Sequence, residues 1–308
     1  MRDIPVRELC LADINERAAS PVTFMEEEDA RYFAEVDRVA RQLLSDGGHV
    51  FVMLSGPSSS GKTTTAFNLQ KRLEALGTQA HVVSLDDFYR GRGRAPKLPD
   101  GSFDYESPDA LDLPALTRCL QSLSETGRAQ LPVFDFVSGR PAAKTRTLVL
   151  PEQAVVIFEG IHALTPSLRP ELPGGTVHRL FVNTLSRVTD GGETVLRRRD
   201  LRLTRRLLRD ERFRACPVEE TLGMWQQVAR GEELYLFPHT EGVDLVIDTT
   251  LAYEPCLLGP ELLPQLRRIP REHLADPAAQ RLLSALPRFR KIPAEQLSEN
   301  SLLHEFLG

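Results

Sequence analysis

The stretch Gly56-Pro57-Ser58-Ser59-Ser60-Gly61-Lys62-Thr63 fits the pattern G-x-x-x-x-G-K-[ST], and it constrains the fold more than any other part of the chain. An apolar run, Val50-Phe51-Val52-Met53-Leu54, precedes it and is short enough for a buried strand. Ala66, Leu69, Leu73 and Leu76 follow at helical spacing, up to Gly77. Strand, glycine turn and helix in that order point successive backbone N–H groups at one spot. Glycine permits the tight turn and the helix adds its positive end. Such a loop cradles the phosphates of a nucleotide, with Lys62 reaching the β- and γ-phosphates and the Thr63 hydroxyl ligating Mg²⁺. The bland alternative is a polar surface turn, which motif and context together outweigh. The loop alone does not separate a kinase from a GTPase, a motor or a transporter ATPase.

The rest of the pattern alternates strands and helices. Strands are expected at His81–Leu85, Ala154–Phe158, Arg179–Val182 and Val243–Ile247. Residues 26–45 read as an amphipathic helix, with Phe33, Val36, Ala40, Leu43 and Leu44 on one face and Asp46-Gly47-Gly48 as its stop. A helix over 218–230 carries Leu222, Met224 and Trp225, read as packing residues. This order implies an α/β fold with a mostly parallel sheet and helices on both faces. Residues 131–150 break the rhythm as a β-hairpin inserted beside the sheet. Residues 258–308 hold Pro260, Pro264, Pro270, Pro277, Pro287 and Pro293, which are expected to prevent any long helix. The chain therefore divides into an N-terminal helical extension (1–48), a core (49–257) and a C-terminal extension laid over the core (258–308).

Composition excludes some function classes. A net charge of -5 argues against a general nucleic-acid binder. No apolar run approaches a membrane span, and the start lacks a signal-peptide pattern. The four cysteines lie far apart without metal-ligand spacing, as expected for free thiols in a reducing, cytoplasmic location.

Ligands of an open parallel sheet bind beyond the carboxyl ends of its strands. Asp86 and Asp87 follow the strand ending at Leu85, and Glu159 follows the one ending at Phe158. If both strands flank the one feeding the loop, these acids converge on the γ-phosphate, where one can accept a hydroxyl proton or hold Mg²⁺. Helix capping and solvent exposure are the competing readings, and Asp87 is the member expected to point away. His162, just past Glu159, is read as structural or solvent-facing. Residues 194–214 carry nine arginines. Arg202, Arg205 and Arg209 share one helical face, and Arg202, Arg206 and Arg209 offer a second. Such a face, closing as a lid, would neutralise the transferring phosphoryl group. A solvated basic helix paired with Asp200, Asp210 and Glu211 is the alternative, and an RNA-binding stripe is another.

Taken in order, these motifs resemble the uridine kinase and phosphoribulokinase family, in particular its bacterial uridine kinase-like branch, from about Val50 to Leu258. The resemblance rests on Gly56–Thr64, Ser84–Arg90, Phe103–Asp112, Phe134-Asp135-Phe136, Phe158–Ile161 and Leu203–Asp210. It implies a P-loop three-layer fold with an arginine-rich lid helix, ATP as phosphate donor, Mg²⁺, and a small nucleoside or sugar as partner. Gly56, Ser58, Ser59, Ser60, Gly61, Lys62, Thr63 and Thr64 match the nucleotide-binding positions. Asp86 matches the general base that takes the proton of a sugar 5′-hydroxyl. Tyr89 matches a residue beside the nucleoside, and Glu106 an acid that grips ribose hydroxyls. Glu159 matches the acid near Mg²⁺, with Thr63 and Asp86 as its companions, and Arg202, Arg205 and Arg209 match the lid. The hairpin matches the element covering the base. There the family's well-studied uridine-cytidine kinases carry a Tyr and a His, where this chain has Phe134 and Gly139.

The resemblance leaves self-association into a homo-oligomer open. The implied activity is phosphorylation of a nucleoside 5′-hydroxyl, uridine or cytidine first. Two alternatives stay open: a kinase for another sugar or small alcohol, and a nucleotide-binding regulatory protein without transferase activity.

Overall fold

A computed structural model describes residues 6–168, 175–270 and 276–308. The chain opens with strand β1 (Glu8–Cys10) and helices α1 (Leu11–Arg17) and α2 (Pro21–Leu43), the latter starting five residues earlier than its apolar pattern because Pro21 sits in its first turn. Strand β2 (His49–Ser55), the loop and helix α3 (Lys62–Ala75) come next, then β3 (Gln79–Ser84) and α4 (Leu113–Thr126). The expected hairpin is two nested ladders. Strand β4 (Arg128–Leu131) pairs with β7 (Arg146–Val149), and beyond it β5 (Phe134–Asp135) pairs with β6 (Arg140–Pro141).

Strands β8 (Ala154–Glu159) and β9 (Gly175–Asn183) return to the main sheet. A short pair, β10 (Arg187–Asp190) and β11 (Glu193–Leu196), joins β1 in a three-stranded sheet that the sequence pattern does not announce. Helices α5 (Arg198–Arg214) and α6 (Val218–Gly231), strand β12 (Leu245–Asp248), and helices α7 (Glu254–Leu266), α8 (Pro277–Ala285) and α9 (His304–Leu307) complete the fold.

The main sheet is wholly parallel, ordered β12-β9-β2-β8-β3. Successive side chains of β2 enter opposite layers, as the pleat requires. Val50, Val52 and Leu54 pack with Leu69, Leu73 and Val36 on one face, while Phe51 and Met53 pack with Leu116, Leu120 and Leu123 on the other. Two cores of this kind, one per face, make every central strand apolar throughout.

Two expectations need correction. β8 and β9 flank β2, whereas β3 is an edge strand one place removed, because β8 inserts between β2 and β3. Prolines also fail to break the C-terminal segment: α7 runs through Pro260 and Pro264 and straddles position 257/258. Pro260 has no N–H for the carbonyl of Cys256, and the N–H of Ile292 donates to that oxygen instead at 3.0 Å. Pro270 closes this segment, just outside α7.

Both margins of the main sheet receive side-chain donors. Arg38 Nη2 donates to the Val246 carbonyl of β12 (3.0 Å), Arg31 Nη1 to that of Asp248 (3.4 Å), and Gln70 Nε2 to that of Ala80 in β3 (3.0 Å). Among the described residues no helix is long and apolar enough to cross a membrane. All four cysteines are free thiols.

Candidate active site

The loop between β2 and α3 is built for close approach. A Cβ on Gly56 would strike the Val182 carbonyl, Gly61 has φ +83°, and Ser59 takes a left-handed φ of +57°. A non-glycine residue at such a φ costs free energy and marks a backbone held by its surroundings. The first N–H groups of α3, at Lys62, Thr63 and Thr64, lack intrahelical acceptors by geometry. The buried Ser59 and Ser60 hydroxyl oxygens have no partner. This donor-rich, unsatisfied cradle suits polyphosphate. Among the described residues no three metal-ligating side chains cluster.

The surroundings that hold the loop include two of the arginines expected in the lid. Arg202 is 2% exposed and donates to Glu232 (2.6 and 2.8 Å) and to the Ser58 carbonyl (2.9 Å). Arg205, 0% exposed, donates to Glu254 (2.7 and 2.5 Å), to the Thr249 carbonyl (2.7 Å) and to the Ser59 carbonyl (3.4 Å). Both therefore brace the loop through its carbonyls instead of lying open as a lid face. The reason is that their partners, Glu232 and Glu254, come from outside α5, where no helical spacing reveals them.

Arg209 is different. It pairs with Asp210 (2.8 Å), which also holds Arg206 (3.1 Å) and Arg214 (3.5 Å). Arg206 further donates to Ser58 Oγ (2.7 Å). The fields of Arg209, Arg214 and Arg206 act on Lys62, Asp86 and Glu106 respectively. The charges of these three arginines thus reach the site from the cluster around Asp210.

The acids at the strand ends do come together, although their strands are not both neighbours of β2. Ser84 Oγ donates to Glu159 Oε1 (3.0 Å) and accepts from the Asp86 N–H (3.3 Å), so one hydroxyl ties both. Lys62 Nζ donates to the Pro57 carbonyl (3.2 Å). Burial lowers its ammonium below the ordinary lysine range, opposed first by Glu159 and then by Asp86. Burial raises both carboxyls, opposed by Lys62. Asp86 itself is open to solvent in spite of the protein crowded round it. Asp87 turns away, accepting from the Phe134 N–H at 3.1 Å and so anchoring the hairpin.

On the hairpin side Tyr89 and Phe134 lie 6.0 Å apart, and Phe134 meets Phe136 edge-on at 5.1 Å. Gly139 has φ +66°, and a Cβ there would collide with Arg92. No side chain from that position can reach a ligand. Glu106 packs against Gly231, and burial pushes its carboxyl up to about 7, with Arg206 pulling the other way.

Sequence reasoning missed Asp104, which is buried, accepts from Tyr235 Oη (2.8 Å) and receives the Glu106 N–H (3.1 Å). His162, read as structural or solvent-facing, is buried. This imidazole lies within the fields of Asp104 and Lys62, its Nδ1 is unpartnered, and burial pushes it down to about 4. The only sequence signal for either was its place inside, or next to, a motif.

Residues 51–252 match the model of the phosphoribulokinase / uridine kinase family. The chain belongs to that family. It is a member of a family of ATP-dependent kinases. It is 28% identical over 206 residues to uridine-cytidine kinase B of Dictyostelium discoideum, covering 66% of this chain and 76% of that one. To a uridine kinase of Shewanella amazonensis it is 27% identical over 202 residues, 64% of this chain and 86% of that one. A solved phosphoribulokinase from Rhodobacter spheroides superposes with a TM-score of 0.42 at 17% identity, over 64% of this chain and 68% of that one.

The family match ends before α7, yet the C-terminal segment reaches the phosphate loop. Glu305 Oε2 accepts from Thr64 Oγ1 at 2.6 Å, and its charge acts on Lys62. Leu302 packs against Gly61, Phe306 lies 5.2 Å under the Arg205 guanidinium, and Arg212 donates to the Leu307 carbonyl. On the N-terminal side, Tyr32 of α2 hydrogen-bonds Thr65 (3.0 Å). Both flanks of this phosphoribulokinase / uridine kinase family member thus grip the first turns of α3.

Proposed function

We propose that the chain transfers the γ-phosphate of ATP to the 5′-hydroxyl of a nucleoside, uridine or cytidine first. One observation supports this most: Asp86 and Glu159, tied by Ser84, share the field of the phosphate-loop lysine. Mg²⁺, held by Thr63 and the acid pair, would supply charge neutralisation at the β- and γ-oxygens. Asp86 accepts the hydroxyl proton as the new P–O bond forms and the bond from the γ-phosphorus to the bridging oxygen breaks, releasing ADP. Lys62, Arg206 and Arg209 meet the charge spread over the transferring group, and the braced loop keeps its N–H groups aimed before ligand arrives. Tyr89 and Phe134 offer aromatic faces to the base and Glu106 a carboxylate to the ribose hydroxyls.

A second reading keeps the transfer and changes the acceptor to another sugar or small alcohol. Phe134 and Gly139 favour it, because a site without polar partners for a base discriminates poorly between bases. An ADP-release assay across uridine, cytidine, other nucleosides, ribulose 5-phosphate and pantothenate decides between them. Stimulation by nucleosides supports the first reading, and stimulation only by another alcohol supports the second. No stimulation above basal ATPase removes both and leaves a nucleotide-binding regulator.

Two further results are expected. Glu106 accepts from a pair of ribose hydroxyls most strongly when ionised, with both oxygens free as acceptors, and its carboxyl is raised to about 7. The acceptor KM should therefore fall as pH rises through 7, and Glu106→Gln should flatten that dependence at a high KM. A KM that varies with pH identically in both proteins would exclude Glu106 from the contact. Thr64 is a nucleotide-binding position whose hydroxyl Glu305 already holds, with a negative charge where phosphate would lie. Glu305→Gln should tighten binding of a non-hydrolysable ATP analogue several-fold, on the order of 1 kcal/mol, read by calorimetry. Weaker binding would mean that Glu305 supports the nucleotide.

A further inference from the structure

A cavity of about 500 Å³ opens at the N-terminal end of α5. Arg197, Arg198, Arg199, Arg202 and Arg281 line it, with Asn183 at the end of β9, and Glu233 is the one carboxylate of the lining. Lys62, Asp86, Tyr89, Glu106 and Glu159 are all absent from that lining, so the cavity lies apart from the residues proposed for the transfer and the acceptor.

Its charge is not balanced from within. Glu233 is taken by Arg199 (2.6 Å), Glu232 by Arg202 (2.6 Å) and Asp200 by Arg281 (2.8 Å). Among the described residues Arg197 and Arg198 have no carboxylate partner within salt-bridge distance. Five guanidinium groups less three carboxylates leave a surplus of two positive charges. Two charged groups next to the cavity reduce this surplus to one without cancelling it. Arg187 is held by Glu8, whereas Asp248, bonded to the Leu185 N–H (2.9 Å) and Ser186 Oγ (3.0 Å), keeps its negative charge. Burial and the positive field of Arg187 make the charge on Arg198 harder to hold, Asp248 opposes them, and Arg202 adds to them. The α5 helix adds its positive end.

The polar atoms point the same way. Asn183 is 3% exposed and its Oδ1 has no hydrogen-bond partner, and the buried Arg202 Nε has none either. Buried polar atoms left unmatched in a native fold are uncommon and call for a partner. An amide acceptor suits a ligand hydroxyl, guanidinium donors suit the oxygens of a phosphate, and half-buried Phe237 supplies a flat apolar wall.

We infer that this cavity binds a small phosphomonoester carrying free hydroxyls, a sugar phosphate or a nucleoside monophosphate. The dianion sits against Arg197 and Arg198, and a hydroxyl donates to Asn183. Because Arg202 also holds the Ser58 carbonyl, the two sites share one side chain.

Calorimetry on the full chain tests this with ribose 5-phosphate, uridine monophosphate and inorganic phosphate as probes. Each is titrated into the Lys62→Ala protein, which weakens anion binding at the phosphate loop, and into Lys62→Ala carrying Arg197→Ala and Arg198→Ala. Among the described residues neither of these two side chains has a salt bridge to lose, and circular dichroism checks that the fold survives. The expected result is an ester that binds the first protein and loses about tenfold or more in affinity in the second. Whichever ester does so identifies the source, sugar phosphate or nucleotide. Equal affinity in both proteins would overturn the inference, as would failure of both esters to bind the first. Inorganic phosphate binding as tightly as the esters would overturn the assignment of an ester with hydroxyls.

Discussion

Asp86→Asn should lower turnover by about 10²–10⁴-fold, the usual contribution of a positioned general base, while ATP-analogue affinity stays within a few-fold. The carboxamide keeps the size of the side chain and the backbone N–H bond to Ser84. What it loses is the capacity to take a proton. It also loses one of the three negative charges that oppose the burial of Lys62, so the ammonium should titrate lower than before. Single-turnover kinetics separates the two effects, since a lost base lowers the chemical step and a disturbed lysine weakens nucleotide binding. An unchanged rate of phosphoryl transfer would remove Asp86 from the role of base.

The second large effect is expected on stability. Arg205→Ala strips a guanidinium from a site where it and Glu254 are both almost wholly buried. Among the described residues the carboxylate left behind has no other ion pair, and breaking a buried pair from one side typically costs about 3–5 kcal/mol. The loss extends to the donors on the Thr249 and Ser59 carbonyls and to the face of Phe306. Urea unfolding of the single variant and of Arg205→Met with Glu254→Leu checks the cause. The double variant should recover much of the loss, because it buries no unpaired charge. A cost below about 1 kcal/mol for the single change would mean that the pair does not brace the loop.

These two predictions mark where sequence reasoning held and where it stopped. The phosphate loop was legible because a strand, two glycines, a lysine and a helix occupy consecutive positions. The convergence of Asp86 and Glu159 was legible as well, but for a reason only partly right. Parallel strands do put their carboxyl ends on one side, yet β3 lies at the sheet edge, and its direct pairing with β8, which sets Ser84 opposite Glu159, rather than adjacency to β2, brings the two strand ends together. The arginines show the limit most clearly. Helical spacing groups Arg202, Arg205 and Arg209, but whether a guanidinium faces a ligand or a buried acid depends on residues about 30 to 50 positions away. Long-range pairs leave no periodic mark in a sequence. Pro260 is a similar case, since its missing N–H is replaced by that of Ile292. The grip of Glu305 on Thr64 was invisible for the same reason.

The donors placed along the two margins of the main sheet have a consequence for the life of the protein outside its chemistry. A sheet that does not close on itself ends in rows of free carbonyl oxygens, and a foreign extended peptide can join such a row as one more strand. Arg31, Arg38 and Gln70 already occupy oxygens on β12 and β3. An incoming chain would first have to dislodge them and leave guanidinium donors at β12, or a carboxamide donor at β3, without these partners, so runaway stacking of one molecule on the next is disfavoured at both borders.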